Sequence, residues 1–578
     1  MIALALLVRV VHVASVAPTP LFSYHRIFVE SDMYIFDRWA HQIAAGDVLG
    51  REPFHFVAQW QLAQAPAEQW ARWYGEPLVF HKAPFYAYLL ALLIRLFGDA
   101  MLPVALLQVL ASIPALVLLQ RVTERLFGSN AGLIAAAILA VYGPAIHFDA
   151  AMLRGPWIVL STLLVTWRLL EVQRLPGTRS AVLLGVAVGL SLLVNEGCGP
   201  AAVLAPAVFG LWFPELRRWA ILTSGYLLGT LLALAPVVVR NYLVGAPLFR
   251  WAVLGSTAYA LCNTAGTSPY FFELHPSLYL PVLAASGGRL IPTVIGCLRS
   301  FDGPRAILSF YLERLGGLLV PFENPDNVNI YYAALKSPLL AALPGWSLLF
   351  PLAAVGLVLA RRRIADLAAL APATLTLGAS ILLTLPMSRY RATLAVYLIP
   401  FAALALIRGA EWARQRRFGR LGIAAAGVLG IQILAAAFQA RVVFAGGPAG
   451  AYLYRRAEFW LGATFYEQQG RLNEAAGEAF ALARLNPDAP VQAAALLSAG
   501  RLEARLDHAS VAQDALRRAA ARSDDPLVLI EIGDSQARLV SDRAGARETY
   551  AKASRNAAGD VQATIEERLR SLGGGDGG

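Results

Sequence analysis

Long apolar runs recur along this chain up to about residue 440, and they limit its fold more than any other feature. They cover residues 2–17, 100–119, 130–148, 154–170, 180–195, 200–213, 219–240, 339–360, 366–386, 392–408 and 421–441. A helix needs about 20 apolar residues to cross a hydrocarbon layer of roughly 30 Å. In lipid the backbone must satisfy its own hydrogen bonds, so such runs read as helices. The composition agrees, with 57% of residues hydrophobic and 15% charged. From about residue 450 the runs stop and a polar, Ala-rich, helix-periodic region begins. The expected fold is all-α: a polytopic membrane bundle of about eleven spans over 1–445, then a helical region over 452–570. A flexible Gly-rich tail, 571–578, is expected to close the chain.

The net charge of +11 belongs almost wholly to the membrane part. It is spread over short loops instead of one patch, which argues against a nucleic-acid partner. Basic loops stay in the cytoplasm, and an N-terminus on that side places every short basic loop there. These loops carry Arg121 and Arg125; Arg174 and Arg179; Arg217 and Arg218; Arg361, Arg362 and Arg363; and Arg408, Arg414, Arg416, Arg417 and Arg420. The scheme requires Ala83 to Phe97 to lie along the interface instead of crossing. The opposite, extracytoplasmic face then receives the first loop (18–99), the turn His147 to Arg154, the turn Asn195–Glu196 and a large loop (241–338). It also receives Ser388-Arg389-Tyr390-Arg391 and the C-terminal region. Loops this long are usually functional, and Arg389 and Arg391 stand against the charge rule. The expected location is the plasma membrane, the inner membrane of a bacterium, with the C-terminal region periplasmic.

Leu4 to Val16 lacks a clean cleavage site and reads as a first membrane helix; its shortness leaves room for an upstream start. Arg9, inside that span, either reaches the cytoplasmic headgroups or pairs within the bundle. Cys198, Cys262 and Cys297 show no metal spacing; Cys262 and Cys297 could pair across the large loop, although free thiols are the expectation. Trp460-Leu461-Gly462, Phe465, Gly470, Ala475, Ala479-Phe480 and Pro487 fit the tetratricopeptide pattern. Weaker units follow at 491–526 and 527–560, with Leu516 and Tyr550 one 34-residue period apart. Such a stack is either a groove for a protein partner or a passive helical cap.

Chemistry concentrates in the first loop. Tyr34, Trp39 and Ile43 suggest an amphipathic helix at the surface, with Asp32 near its start. A carboxylate there can take a proton from a hydroxyl, and Asp is equally a helix N-cap residue. Asp37 reads as structural, paired with Arg38 or another nearby arginine. His275 reads as a plain loop histidine.

The stretch from Asp32 to Asp47, with Phe80-His81-Lys82-Ala83-Pro84-Phe85-Tyr86-Ala87-Tyr88, resembles the first loop of polyprenyl-phosphate-sugar glycosyltransferases. These GT-C-type membrane enzymes are related to protein O-mannosyltransferases and aminoarabinose transferases. Arg240-Asn241-Tyr242-Leu243-Val244 with Cys262-Asn263-Thr264 resembles the start of their large loop. Phe322-Glu323-Asn324-Pro325-Asp326-Asn327 and Ser388-Arg389-Tyr390-Arg391 resemble two further motifs, so the resemblance covers about 1–440. It implies Asp32 as the base, Lys82 at the donor phosphate and Asp149 as a second acid. Arg240, Arg389 and Arg391 become candidates for the phosphate because guanidinium groups suit it. For Arg240 the alternative is interfacial snorkelling. His81, Glu323 and Asn327 lie on stretches that would face substrate, though for Glu323 the expected role is to order its loop.

The implied reaction passes a sugar from polyprenyl phosphate to a hydroxyl on a protein, lipid or glycan, using no cofactor and with no metal expected. Two stretches depart from the family pattern. Ala150-Ala151-Met152-Leu153-Arg154-Gly155 follows Asp149 where relatives often place a glutamate and an Arg-Glu pair. Asn195-Glu196-Gly197 stands where Arg-Pro is frequent. The departures leave a second class of function open: a degenerate membrane-anchored scaffold that holds its repeats in a complex.

Overall fold

Helices account for all the regular structure in the computed structural model, which describes residues 1–75, 77–253, 255–363, 367–445 and 447–573; no strand occurs among the described residues. The chain divides into two units. One contains residues 1–18 and 22–443, and the other contains 19–21 and 444–578. The first is an all-α polytopic bundle.

Each apolar run becomes a helix, though not each is long. Among the described residues, six helical segments have the length and apolarity to cross a membrane: Met101–Phe127, Gly155–Arg174, Leu216–Val244, Pro338–Ala360, Ser388–Arg414 and Phe418–Val443. Ser129–Val141 and Gly143–Asp149 pass that test together but bend by 56° at their junction, where Pro144 opens the second helix. Ile2–Val16, Thr178–Val194 and Gly199–Trp212 are shorter. So is Ala371–Leu383; the start of its expected run, Asp366, lies outside the described residues.

The ends of these helices fix the threading. Lys82, Arg154, Glu196 and Arg389 gather at one end of the bundle, as ion pairs described below show. From Arg154 the chain runs away through Gly155–Arg174 and returns through Thr178–Val194 to Glu196. It leaves again through Gly199–Trp212 and returns through Leu216–Val244 to Arg240. Between Lys82 and Arg154 lie Met101–Phe127 and the bent pair, one passage out and one back. Phe85–Phe97 therefore adds no passage of its own. It packs against Asp32–Ala44.

Small residues let the helices approach closely. Gly185 and Gly189 face Gly225 and Gly229 across the crossing of Thr178–Val194 with Leu216–Val244, a GxxxG spacing on both partners. Where lipid tails are as apolar as leucine, van der Waals contact between backbones drives such packing. A Cβ on Gly229 would stand 2.0 Å from the Val182 carbonyl oxygen. Phe418–Phe438 is the opposite case: none of its residues is buried, and Ile423, Ile433 and Leu434 are mostly exposed. That suits a helix surrounded by lipid.

The second unit consists of antiparallel helix pairs. Arg456–Gln468 packs on Leu472–Leu485, Ala489–Arg505 on Ala509–Arg522, and Pro526–Leu539 on Arg543–Ser554. Leu516 and Tyr550 fill equivalent positions against Gly500 and Gly533. Trp460, the first residue of the expected repeat signature, is 50% exposed under the Arg456 guanidinium; Phe459, Gly462, Ala463 and Tyr466 form the buried face instead. The last helix, Gly559–Gly573, extends into the stretch expected to be a flexible tail, of which 574–578 lie outside the described residues.

Candidate active site

Asp32 opens the helix Asp32–Ala44 but does not cap it. Ser31 is the N-cap, and its hydroxyl accepts from the Tyr34 N–H at 3.2 Å. The Asp32 carboxylate is thus free of local duty and meets groups far away in sequence. Lys82 Nζ lies 2.8 Å from Oδ1, and Arg389 Nη1 donates to Oδ2. Asn327 brackets the same residue: its Oδ1 accepts from the Asp32 N–H at 2.7 Å and its Nδ2 lies 3.4 Å from Oδ2. Asp326 adds a second carboxylate, with Oδ2 2.7 Å from Arg389 Nε, although the two are not aligned as a hydrogen bond. The result is a chain of alternating charge, Lys82–Asp32–Arg389–Asp326. Each side chain keeps 16–21% of its surface open. Burial pushes the Asp32 carboxyl up, but Lys82 and Arg389 override it and hold the group well below the usual carboxylate range.

Arg389 and Arg391 part company for a geometric reason. Two steps along a helix turn about 200°, so one faces the site and the other the core. Arg391 is fully buried. Its Nη1 donates to Val320 O at 2.8 Å, and its Nη2 to Phe322 O and to Glu323 Oε2, the last at 2.8 Å. Its guanidinium also lies over the Trp346 ring. Glu323 is thereby committed to Arg391 and to the Trp346 N–H, 3.3 Å from Oε1. The pair fastens 318–323 to the start of Ser388–Arg414. That contact, with the Ser388 N–H donating to Asn324 O at 2.9 Å, carries Asp326 and Asn327 to Asp32.

Arg240 is likewise not brought to Asp32. It donates to Leu49 O, Leu78 O and Gly50 O at 2.5–2.6 Å and stacks on Phe80. Gly50 has φ +58°, and a Cβ there would stand 2.9 Å from the guanidinium. Arg240 therefore shapes the first loop, with most of its five donors spent on carbonyls. His81 sits beside Lys82, with Nδ1 3.4 Å from His55 Nδ1 and its ring edge-on to Tyr74. Burial first, then the Lys82 charge and His55, lower its pKa to about 3, so it is neutral at physiological pH.

Asp149 lies within the bundle, where Arg9 Nε donates to it at 2.7 Å. Arg9 also reaches Ala140 O at 3.1 Å, so of its two expected fates it takes pairing inside the bundle. The two line a mostly apolar pocket together with Arg389, Phe148, Pro156 and Val396. Asp37 faces His41 at 3.5 Å and not Arg38; His275 lies 3.1 Å from Glu273. All three cysteines are buried free thiols.

Sequence reasoning left three residues of this site without a role. Arg154 and Glu196 pair at 2.7 Å, and Glu196 accepts from the Ala83 N–H at 3.0 Å, fixing the backbone next to Lys82. Burial pushes Glu196 up, but Arg154 and then Lys82 hold its carboxyl at about 2. The departure from Arg-Pro at 195–196 thus carries a paired carboxylate, and a charge in a tight turn between apolar runs was the available signal. Asp326, the third, sat inside a motif whose other residues drew the attention.

Residues 81–242 match the family model of dolichyl-phosphate-mannose-protein mannosyltransferases. No curated protein matches the chain in sequence. Among solved structures, the chain is distantly similar to the archaeal oligosaccharyltransferase AglB from Archaeoglobus fulgidus, solved with an inhibitory peptide and a dolichol-phosphate. That match has 13% identity and a TM-score of 0.34, and covers 70% of this chain and 55% of that one. The apo form of the Archaeoglobus fulgidus oligosaccharyltransferase matches with 16% identity and a TM-score of 0.35, covering 70% and 56%. The chain thus spans little more than half the length of these structures, too distant a likeness to speak for activity. The resemblance to GT-C-type lipid-phosphate-sugar glycosyltransferases stands on the matched segment, which holds Lys82, Asp149, Arg154, Glu196 and Arg240.

Proposed function

We propose that this protein is an integral-membrane glycosyltransferase that moves a sugar from a polyprenyl-phosphate donor to an acceptor hydroxyl at the extracytoplasmic face. The observation that carries the reading is one carboxylate, Asp32, held between Lys82 and Arg389 at the end of an apolar bundle. The donor phosphate lies against those two cations. Asp32 takes the proton of the acceptor hydroxyl, whose oxygen attacks the anomeric carbon. The bond from that carbon to the phosphate oxygen breaks, and its electron pair leaves on the polyprenyl phosphate. One displacement inverts the anomeric centre, and Asp32 passes its proton to water. Charge already in place stabilises the departing phosphate most where water is scarce. Arg154 and Glu196 hold the backbone beside Lys82, and the apolar pocket next to Arg389 receives the first part of the carrier chain. The acceptor class is a protein, lipid or glycan, and the C-terminal helix pairs serve as a tetratricopeptide-like platform that collects it.

The test is transfer by purified protein in nanodiscs with polyprenyl-phosphate sugars, wild type against Asp32→Asn. Loss of a general base costs about 10²- to 10⁴-fold. Equal transfer by both proteins removes Asp32 from the mechanism. No transfer by the wild type with any of several donors sinks the enzyme and leaves the membrane-anchored scaffold.

A further inference from the structure

Paired as it is, Asp32 is poorly placed to act as a base. Both its oxygens are occupied, Oδ1 by Lys82 and Oδ2 by Arg389 with Asn327 close by. A base needs an open lone pair toward the acceptor and a proton affinity matched to its task. Something must release one oxygen before transfer, and the two cations are not equally able to leave. Arg389 is tied on three sides: Nη1 to Asp32, Nη2 to the Tyr390 hydroxyl at 2.8 Å, and Nε beside Asp326 at 2.7 Å. Lys82 has Asp32 as its ion-pair partner, at the end of a flexible four-carbon stem.

Resting on the reading above, we propose that the donor phosphate switches the base on: it draws Lys82 away from Asp32, while Asp326 keeps Arg389 in place. Lys82 passes from one anion to another, so its charge is never left unpaired. Oδ1 opens toward the acceptor when the donor is seated. With no donor bound, the carboxylate remains locked between two cations and spends no proton affinity on water. Asp326 is then a positioning residue whose counter-charge makes Lys82 the cation that moves. Productive binding becomes ordered, with the donor first and the acceptor second.

The idea makes Asp32 a competitor of the phosphate, which a simple base is not. The experiment measures the affinity of polyprenyl phosphate, the leaving group without its sugar, for the full chain in nanodiscs. Asp32→Asn, which keeps the shape and removes the charge, should slow transfer yet bind this probe about tenfold more tightly, equivalent to about 1.4 kcal/mol. In a Lys82→Met background the same substitution should no longer tighten binding. Matching melting temperatures for wild type and Asp32→Asn show that the comparison is between folded proteins. Unchanged or weaker binding by Asp32→Asn, with a wild type that binds and transfers, overturns the switch and leaves the transferase intact. Equal tightening with and without Lys82 overturns it as well, by removing Lys82 as the moving cation. A wild type that neither binds the probe nor transfers sugar overturns both readings.

Discussion

Arg391→Met should damage this protein far more than Arg389→Met, two residues away. Arg391 is 0% exposed, and its partner Glu323 is 8% exposed. Methionine keeps the arginine stem only as far as about Nε, so what is lost is the guanidinium with its charge and its donors. It strands a buried carboxylate and takes the donor from the Val320 and Phe322 carbonyls. Removing one partner of a buried ion pair costs about 3–5 kcal/mol. Arg389 is 19% exposed and its partners keep 16% and 21% of their surface, while Lys82 stays paired with Asp32, so its removal strands less charge and should cost less. Unfolding of a polytopic protein is commonly irreversible, so the comparison belongs in melting temperature at one fixed scan rate in detergent. Adding Glu323→Gln to Arg391→Met removes the stranded charge and should restore part of the loss, a coupling that a double-mutant cycle isolates. If Arg391→Met melts with the wild type, or Arg389→Met falls as far, the structural role given to Arg391 is wrong.

Two further outcomes follow from the same coordinates. Gly229→Ala should cost about 1–3 kcal/mol by overpacking, because its Cβ would stand 2.0 Å from the Val182 carbonyl oxygen, whereas Gly430→Ala, with nothing within 4 Å, should be neutral; thermal melts of the pair decide this. Between Lys82 and Arg389, Asp32 is held below the usual carboxylate range. Its ion pairs therefore persist above about pH 4 and are lost only as pH falls through the lower folded value. Loss of Lys82 to the donor raises that value, so the acid limb of kcat should lie at higher pH than that of kcat/KM for the donor. Coincident limbs would count against the switch.

The sequence by itself determined a good part of this protein. Apolar runs of near-spanning length fixed an all-helical bundle, because a backbone in lipid can satisfy itself in few other ways. Charge asymmetry alone kept Phe85–Phe97 from being read as a crossing. Arg389 was legible as a candidate because it breaks the charge rule for membrane chains, and Asp32, Lys82 and Asn327 because their stretches resemble motifs of a known family. Only the tertiary structure decided between residues of the same type. Arg389 reaches the site while Arg391 and Arg240 serve carbonyls, since helix phase and loop path set which way a guanidinium points. Asp149 went to Arg9 within the bundle, and Asp326 and Glu196 gained their places from partners tens of residues away. Such pairings depend on long-range geometry, which no local spacing encodes.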